Sequence, residues 1–322
     1  MRIRLTGDWL PKSPLQLEGG ALCIGNLECA FTDGAIESGK AYTSLLPFSF
    51  IDNVSSSGFS ALSLANNHVY DAGVEDFDRM IEALHEHCLG IQFFGTVDCP
   101  YADLVIDGRR IAVIGSLEPC RSRGRQIFKQ EDVLTLIRKI HDDFDFIYVF
   151  PHWGKEGEYT RYPAPWQLRL ARRWIDAGVD GVFGSHSHVF QGREYYKGKP
   201  IYYSLGNFFF PHPESKLYEG THDGLSVEID DGRVIEKFHS FKDDGSITIG
   251  QDHSGVMEEI SRPLEEWSTW KWAKAVGPFN LKKNTASWRV RLKKNFIKTL
   301  PKWLVWQFLP KTLLFRFASL WH

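Results

Sequence analysis

The segment FSALSLANNHVYDAGVEDFDRMIEALHEHC, residues 59–88, contains the unit from which most of the chain is built. Its first part, 59–65, is a short apolar run that is typical of a buried strand. In its last part, 74–88, apolar residues recur every three or four positions, which is the period of a helix with one buried face. Two asparagines and a histidine stand between these parts. The segment therefore predicts a strand, a polar loop and a helix in succession.

The same alternation extends along most of the chain. Strands are predicted at 2–7, 21–25, 59–65, 91–95, 110–117, 144–150 and 180–185. Helices are predicted at 74–88, 130–141 and 163–177. Between 189 and 242 the pattern changes to successive strands, with a hairpin turn at 230–232. Continuous apolar strands that alternate with helices predict an α/β fold in which helices cover both faces of the sheet.

Charge is divided unevenly along the chain. The 322 residues carry a formal net charge of -2, yet no Asp or Glu follows Glu266 whereas 12 Lys and Arg do. Residues 267–322 therefore carry +12, and residues 1–266 carry -14. This division predicts a first domain at 1–245, a polar linker at 246–266 and a basic C-terminal extension at 267–322.

The cysteines and the first residues favour a cytoplasmic protein. The five cysteines have no regular spacing, which is typical of reduced thiols rather than of a disulfide framework. The N-terminal sequence lacks the apolar region of a signal peptide. The sequence contains no run of 18 uncharged apolar residues, so no membrane-spanning helix is predicted. We therefore expect a cytoplasmic location.

Metal-binding residue types collect where predicted strands end. They are Asp8, Asn26 and Glu28, then Asn67, His68 and Asp71, and finally His152, His186 and His188. In an open α/β sheet, the carboxyl ends of the strands form the edge where ligands bind. Each residue alone is a weak signal, but their joint arrangement predicts a metal site. Oxygen and nitrogen ligands without thiolates suit Mn, Fe or Zn.

Two details of this cluster have alternative explanations. His186 and His188 point the same way if they lie in an extended segment, because alternate residues of a strand share a face. Asp71 can orient the imidazole of His68 as a hydrogen-bond partner, or it can cap the N-terminus of the helix predicted at 74–88. Both roles for Asp71 remain open from the sequence.

Six short motifs resemble the CapA family of capsule and poly-gamma-glutamate synthesis proteins, within the calcineurin-like metallophosphoesterase superfamily. They are GD (7–8), NLE (26–28), SLANNHVYDAG (63–73), HWGKE (152–156), GSHSHV (184–189) and YSLGNF (203–208). The match runs in order through about residues 1–240. The resemblance implies a metallophosphoesterase-like sandwich of two β-sheets flanked by helices, with the C-terminal extension as a basic, aromatic, helical addition.

The resemblance also implies roles for individual residues. Asp8 and His188 would bind one divalent metal ion, Asn67, His152 and His186 would bind a second, and Glu28 would bridge them. His68 would donate a proton to the substrate, and Asp71 would assist it. The superfamily's first motif is Asp-x-His, whereas this chain has Asp8-Trp9-Leu10. One imidazole ligand is therefore missing, and either one or two ions are expected.

Further polar residues are candidate substrate contacts. They are Asn26, Glu156 and Asn207 in the family motifs, with Arg121 and Arg123 in the loop after the strand at 110–117. The two arginines can hold phosphate or carboxylate groups in a bidentate manner, or they can belong to a solvated loop. Asn207 can line the pocket or satisfy a tight turn.

Two classes of function follow. The first is a metal-dependent hydrolase, specifically a phosphoesterase, that serves capsule, exopolysaccharide or poly-gamma-glutamate production and acts on a phosphorylated or polyanionic substrate. The second is a non-catalytic accessory protein of a polymer-synthesis complex, which binds a polymer or lipid-linked intermediate in the same pocket. The missing imidazole favours the second class, and the intact Asn67–His68 pair favours the first.

The basic extension predicts contact with a membrane surface. Residues 267–322 hold seven of the eleven tryptophans, and cations are mixed with aromatic residues over 287–322. This composition suits the headgroup layer of an anionic membrane, which here would be its inner face. The aromatic residues can instead pack on the acidic body. A nucleic-acid partner is disfavoured by the charge of -14 on that body.

Overall fold

The computed structural model describes residues 1–17, 20–34, 42–118, 126–213, 217–242 and 244–277, apart from the side chain of residue 265. The chain divides into two compact units at Gly277. Everything structural stated below belongs to the first unit, Met1–Gly277. Arg121, Arg123 and the proposed membrane contact at 287–322 lie outside the described residues. None of the helices among the described residues has the length and apolar character that a membrane span requires.

Sixteen strands and five α-helices carry the described fold. The strands are β1 (Arg2–Trp9), β2 (Leu22–Leu27), β3 (Ala30–Phe31), β4 (Leu45–Leu46), β5 (Ala61–Ser63), β6 (Gln92–Phe94), β7 (Tyr101–Ile106), β8 (Arg109–Leu117), β9 (Phe146–His152), β10 (Gly181–Phe183), β11 (Arg193–Tyr196), β12 (Lys199–Tyr202), β13 (Asn207–Phe209), β14 (Asp223–Asp230), β15 (Arg233–Phe241) and β16 (Ile247–Ile249). The helices are α1 (Ile51–Ser55), α2 (Val74–His87), α3 (Val133–Ile140), α4 (Pro165–Asp176) and α5 (Ser254–Ser261), and residues 269–277 are also helical.

Two mixed sheets organise these strands. The first has the order β16-β15-β14-β1-β2-β5-β6, with β13 paired to β1, and its β1, β2, β5 and β6 run parallel. The second has the order β11-β12-β10-β9-β8-β7, and its β8, β9, β10 and β12 run parallel. The remaining strands β3 and β4 form a separate pair. The parallel centres of both sheets place several carboxyl ends at one edge.

Three apolar clusters explain why the sheets stack and why helices cover them. One cluster joins both sheets, with Leu5 and Phe94 of the first meeting Val113 and Phe150 of the second. Another packs α2 on the outer face of the first sheet, and the third packs α3 and α4 on the outer face of the second. Sheets buried on both faces require continuous apolar strands, as the sequence pattern indicates. The expected two-sheet α/β sandwich with flanking helices is thus confirmed in the described residues.

The segment after β15 differs from the linker expected at 246–266. In the structure, β16 extends the first sheet and α5 contacts β11. Met257, Ile260 and Leu264 are buried in the clusters described above. These three apolar residues recur at helical spacing, but the surrounding polar residues mask the pattern in so short a helix. The first compact unit accordingly continues to Gly277.

A close backbone approach fixes the end of β1. A Cβ on Gly7 would lie 1.7 Å from the carbonyl oxygen of Gly206, so only glycine fits there. The backbone N–H of Asp8 donates a 2.9 Å hydrogen bond to that same carbonyl. The end of β1 is therefore held against the loop that leads into β13. This contact sets the position of Asp8 relative to Asn207.

Candidate metal centre

Five strand ends from the two sheets meet at one buried cluster. Asp8 is the penultimate residue of β1, Glu28 follows β2, and His152 is the last residue of β9. Asn67 and His68 follow β5, and the loop after β10 supplies the remaining two imidazoles. The side chains of the cluster are almost completely buried: Asp8, Glu28, His68, His152, His186 and His188 are all less than one-tenth exposed. The structure thus brings together the residues expected from their places at strand ends.

Glu28 lies at the centre of this cluster. Its Oε1 is 3.6 Å from Nε2 of His152, 3.8 Å from Nε2 of His188 and 4.0 Å from Nε2 of His68. Neither carboxylate oxygen has a hydrogen-bond partner among the described residues. Burial raises the pKa of Glu28 well above its usual value, and the negative charge of Asp8 raises it further. A buried carboxylate without a donor is costly unless a cation compensates it.

Two groups of three residues have the spacing that a metal ion requires. One consists of Glu28, His186 and His188, and the other of Asp8, Glu28 and His152. Within each group the potential ligand atoms lie within 4.8 Å of one another. Glu28 belongs to both groups, as a bridging carboxylate would. Carboxylate oxygens and imidazole nitrogens are ligands for divalent transition metals, so the residues present fit one or two such ions.

The contacts beside the two groups do not divide the ligands cleanly between two ions. Nδ1 of His188 is 3.6 Å from Oδ2 of Asp8, and Nε2 of His152 is 2.6 Å from Oδ1 of Asn67. Both contacts agree with the pairing implied by the family resemblance. His186, however, shares its group with His188 rather than with His152. The assignment of each ligand to one of two ions therefore stays a proposal.

Asn26 orients a candidate ligand. Its Nδ2 donates a 2.7 Å hydrogen bond to Oδ1 of Asp8, and its Oδ1 accepts a 3.2 Å hydrogen bond from Nδ2 of Asn66. Asn26 is only 1% exposed. Its amide is therefore occupied in fixing the Asp8 carboxylate, and the substrate contact expected from the sequence stays a prediction.

The contact between His68 and Asp71 determines which ring nitrogen of His68 faces the cluster. Nδ1 of His68 lies 2.6 Å from Oδ2 of Asp71, and the backbone N–H of Ser44 donates to the same oxygen over 2.9 Å. The N-cap of α2 is Gly73, without a side-chain capping bond. Asp71 therefore orients His68 and does not cap the helix. With Nδ1 turned towards Asp71, Nε2 of His68 faces Glu28.

His186 and His188 do not lie in an extended segment. Strand β10 ends at Phe183, and the two histidines have φ angles of 95° and 59°. Positive φ is uncommon outside glycine and concentrates at functional sites. The backbone N–H of His186 donates a 3.0 Å hydrogen bond to Oδ2 of Asp8. The expected alternation of a strand is therefore wrong here, and two left-handed residues bring the imidazoles to the site instead.

The imidazole of His188 is held on three sides. Its ring stacks on Tyr159 at 5.4 Å and on Phe210 at 4.9 Å, measured between ring centroids. Its Nδ1 is 2.9 Å from Oδ1 of Asn207, whose Nδ2 donates to the carbonyl of Thr221. Because an amide oxygen only accepts, Nδ1 of His188 carries the hydrogen and the lone pair of the neutral ring is on Nε2. Asn207 thus selects the tautomer that presents Nε2 towards Glu28.

Glu156 and an acidic residue that the sequence analysis does not identify lie beside the second sheet. Glu156 is exposed on a short 3₁₀ turn. Glu118 follows β8, and its Oε2 accepts hydrogen bonds from the backbone N–H groups of Gly154 and Lys155. Burial raises the pKa of Glu118, and the charge of Glu156 raises it further. The position of Glu118 directly after a predicted strand is the signal that could have identified it.

His212 is a second residue missing from the sequence-based set. It is buried, and its ring centroid is 6.5 Å from that of His68. Its Nε2 donates a 3.1 Å hydrogen bond to the carbonyl of Thr43. Burial lowers the pKa of His212 to about 4, and the nearby charge of Lys12 adds to that effect. No local pattern around this residue predicts its place beside the cluster.

Comparison with known proteins identifies the family. Residues 10–212 match the family described as "Bacterial capsule synthesis protein PGA_cap". The chain is 34% identical over 237 residues to the capsule biosynthesis protein CapA of Bacillus anthracis, covering 67% of this chain and 57% of that one. It is 28% identical over 236 residues to the probable polyglutamine synthesis accessory protein of Mycobacterium tuberculosis (strain H37Rv), covering 64% and 61%. The chain thus spans less than two thirds of the length of either relative.

Solved structures align with the chain at low similarity. A phosphatase from Mycoplasma pneumoniae aligns with a TM-score of 0.46 and 12% identity, covering 80% of this chain and 96% of that one. The family match, by contrast, covers more than half of the chain and contains most residues of the buried cluster. This protein therefore belongs to the bacterial capsule synthesis protein family, as its sequence motifs indicate.

Proposed function

We propose that this protein is a metal-dependent phosphoesterase that serves capsule, exopolysaccharide or poly-gamma-glutamate production. The observation that carries the proposal is the buried carboxylate of Glu28, which has no hydrogen-bond donor among the described residues and belongs to two groups of potential ligands. Such a carboxylate is stabilised by a cation held between the surrounding imidazoles. The family membership supports the biological process, and the residue types support the chemistry.

The proposed ligands come from both sheets. They are Asp8, Glu28, Asn67, His152, His186 and His188. Mn, Fe or Zn suits this set of oxygen and nitrogen donors. When bound, one or two such ions supply a Lewis acid for a phosphoryl oxygen and a lowered pKa for an attacking water. Asn26 and Asn207 fix the orientation of two of these ligands through hydrogen bonds.

His68 is the proposed general acid. It is oriented by Asp71 through Nδ1, so its Nε2 is the atom that would deliver a proton to the departing oxygen. Proton donation of this kind is typically worth about 10²–10⁴-fold in rate. The buried surroundings of the cluster exclude water and strengthen each electrostatic interaction with a substrate.

The number of bound ions depends on Leu10, the residue after Trp9. Leu10 is buried in the apolar cluster around α2 and offers no ligand where the wider superfamily has a histidine. Asp8 and His188 are then the remaining proposed ligands of the first ion, besides Glu28. We expect the second ion, with three ligands besides Glu28, to bind more tightly than the first.

A non-catalytic accessory role is the second candidate function. The missing imidazole at Leu10 favours it, and the printed name of the Mycobacterium tuberculosis relative assigns that protein an accessory role in polymer synthesis. In this role the same cluster would bind a polyanionic polymer or a lipid-linked intermediate without turnover.

Metal analysis together with a diesterase assay distinguishes these functions. The purified protein is loaded with Mn²⁺, its metal content is measured, and turnover of bis(4-nitrophenyl) phosphate is followed. We expect one or two ions per chain and a turnover that falls in His68→Ala, by less than the about 10²–10⁴-fold typical of a general acid because 4-nitrophenolate departs with little need of a proton. His87→Ala, an exposed histidine at the end of α2, is the matched control. Bound metal without turnover supports the accessory role, and absence of both bound metal and turnover overturns the phosphoesterase.

A further inference from the structure

The side-chain amide of Asn66 lies next to the carboxyl ends of β2 and β5. Asn66 follows β5, directly before the proposed ligand Asn67, and is 1% exposed. Its Nδ2 donates to Oδ1 of Asn26 over 3.2 Å and to the carbonyl of Leu27 over 2.8 Å. Its Oδ1 accepts a 3.0 Å hydrogen bond from the backbone N–H of His68. Both hydrogens and the oxygen of this amide are therefore used inside the buried cluster.

Backbone groups determine which way this amide faces. The carbonyl of Leu27 only accepts and the N–H of His68 only donates, so Nδ2 of Asn66 faces β2. Asn66 thus presents a donor to Asn26, whose oxygen faces it and whose Nδ2 in turn faces Asp8. The donor that holds the Asp8 carboxylate is therefore directed by Asn66.

The same amide holds the peptide group that precedes Glu28. Pairing of β2 with β5 ends one residue before Leu27, so the carbonyl of Leu27 lies beyond the ladder between these strands. Asn66 donates to this carbonyl from one side. On the other side, the N–H of Glu28 donates a 2.9 Å hydrogen bond to the carbonyl of Trp9 in β1. The backbone from which the Glu28 side chain leaves is therefore fixed from two directions.

A local turn does not account for all these contacts. An asparagine often closes a loop by accepting from the N–H two residues ahead, as Asn66 does with His68. That turn requires only the side-chain oxygen. The two hydrogen bonds from Nδ2 reach residues 39 and 40 positions earlier in the chain. They connect the backbone of His68 to the strand end that leads into Glu28.

We propose that Asn66 is a positioning residue that keeps the general acid His68 in register with the carboxylates of the metal centre. The inference rests on the proposed phosphoesterase function and deepens it. A general acid is effective only within hydrogen-bond reach of the oxygen that it protonates. Through Nδ2, Asn66 directs Asn26 towards Asp8 and holds the peptide of Glu28. Through Oδ1, it holds the backbone of His68 beside them.

Binding of Mn²⁺ to the metal-free full chain tests the connection to the carboxylates without requiring turnover. Asn66→Ala should weaken binding about tenfold in titration calorimetry, because the orientation of the Asp8 carboxylate is relaxed. Independent sites add to within about twofold, whereas the double variant with Asn26→Ala should fall short of the combined loss by at least about threefold. An unchanged Kd in Asn66→Ala, or independent losses in the double variant, overturns the proposal.

Asn66→Ser distinguishes positioning from a local turn. A serine hydroxyl accepts from the N–H two residues ahead, so this variant keeps the turn to His68, but it is too short to reach Asn26. We expect Asn66→Ser to bind Mn²⁺ as weakly as Asn66→Ala does. Recovery of the wild-type Kd by Asn66→Ser would show that Asn66 only closes the turn.

Turnover at saturating Mn²⁺ tests the connection to the acid. Phenyl phosphate turnover should fall about fivefold in Asn66→Ala and in Asn66→Ser, as expected for loss of a buried hydrogen bond. The loss should be smaller for 4-nitrophenyl phosphate, whose leaving group needs a proton less. Equal losses for both substrates would overturn the connection to His68. Asn53→Ala, which removes an amide away from the cluster, should change neither the Kd nor turnover. Failure of the phosphoesterase proposal appears separately, as a wild type without turnover in which the Mn²⁺ effects persist.

Discussion

The side-chain amide of Asn26 donates a 2.7 Å hydrogen bond to Oδ1 of Asp8, and the two residues are paired across neighbouring parallel strands. This contact makes Asn26 part of the support of the proposed metal centre. A carboxylate held by an amide cannot rotate away from the site without losing the hydrogen bond. Partners of this kind are often as important for metal affinity as the ligands themselves.

We predict that Asn26→Ala weakens binding of Mn²⁺ about 10- to 100-fold, because the Asp8 carboxylate loses its fixed orientation. Metal binding is measured by titration calorimetry on metal-free protein. Asn53→Ala is the matched control, because Asn53 donates its amide to a backbone carbonyl away from the cluster. An unchanged metal affinity together with a raised KM would instead identify Asn26 as a substrate contact.

A second prediction concerns the free energy that burial of the Glu28 carboxylate costs the folded protein. Replacing it in Glu28→Gln removes a group whose pKa is raised by burial and by Asp8. We expect the metal-free variant to unfold at a temperature about 1–2 °C higher than the wild type, since about 1 kcal/mol is gained in a chain of this size. The stabilisation that Mn²⁺ gives the wild type should be lost in the variant.

Differential scanning calorimetry with and without Mn²⁺ measures both effects of Glu28→Gln. Glu86→Gln, on the exposed face of α2, serves as the control for loss of one negative charge. A variant that is less stable without metal and still stabilised by Mn²⁺ would show that Glu28 has a structural role instead.

The strand ends could be predicted from the sequence because their signal is local. A polar residue directly after a short apolar run identifies the end of a buried strand, as at Asp8, Glu28 and His152. The conformation at His186 and His188 could not be predicted in this way. Their positive φ angles are maintained by tertiary contacts, such as the hydrogen bond from the backbone of His186 to Asp8. Such strain depends on residues 178 positions apart in the chain.

The roles of the supporting residues and the end of the first compact unit could not be predicted from local sequence either. Asn26 is predicted as a substrate contact from its motif, whereas only the structure shows that its amide is 2.7 Å from Asp8. His212 has no local signal, because only the fold brings it next to His68. The segment 246–266 appears as a linker because α5 is short and buries few residues, although Met257 and Ile260 anchor it in the core. Contacts distant in sequence, rather than composition, determine these three features.

The third prediction tests Asp71 as a positioning residue. Asp71→Asn should lower kcat about 10- to 100-fold without changing metal content, because the imidazole of His68 loses the carboxylate that fixes its tautomer. The loss should be larger for phenyl phosphate than for 4-nitrophenyl phosphate, since a poorer leaving group depends more on a proton donor. The double variant with His68→Ala should be no slower than His68→Ala alone. Additive losses would show that Asp71 acts independently of His68.

The fourth prediction concerns the basic extension, for which we propose contact with an anionic membrane surface. Reversing four charges at Lys293, Lys294, Lys298 and Lys302 to Glu should reduce binding to vesicles of phosphatidylglycerol at least about 100-fold, because each cation near such a surface contributes about 1 kcal/mol. Sedimentation with vesicles at low salt measures this. Unchanged sedimentation of the variant would favour packing of the extension on the acidic body.

The fifth prediction follows from a histidine buried in the first sheet. His239 in β15 is 2% exposed, and its Nε2 donates a 3.2 Å hydrogen bond to the carbonyl of Asn207. Burial lowers the pKa of His239 from 6.5 to about 4. The unfolded chain therefore binds a proton at a higher pH than the native one. The contribution of His239 to stability is complete above pH 6.5 and is lost as the pH falls towards 4.

When the pH falls from 7.5 to 4.5, protonation of His239 in the unfolded chain should lower the free energy of unfolding by about 2–3 kcal/mol. His239→Gln keeps a donor for the carbonyl of Asn207 but does not titrate, so its free energy of unfolding should fall by that much less over the same range. His212 titrates in the same sense, because burial also lowers its pKa to about 4, and its contribution is common to both proteins. Urea unfolding at the two pH values measures the difference, with the exposed His87→Gln as control. Parallel losses in wild type and His239→Gln would mean that His239 is protonated in the native protein, with its hydrogen bond to Asn207 strong enough to outweigh the cost of burial.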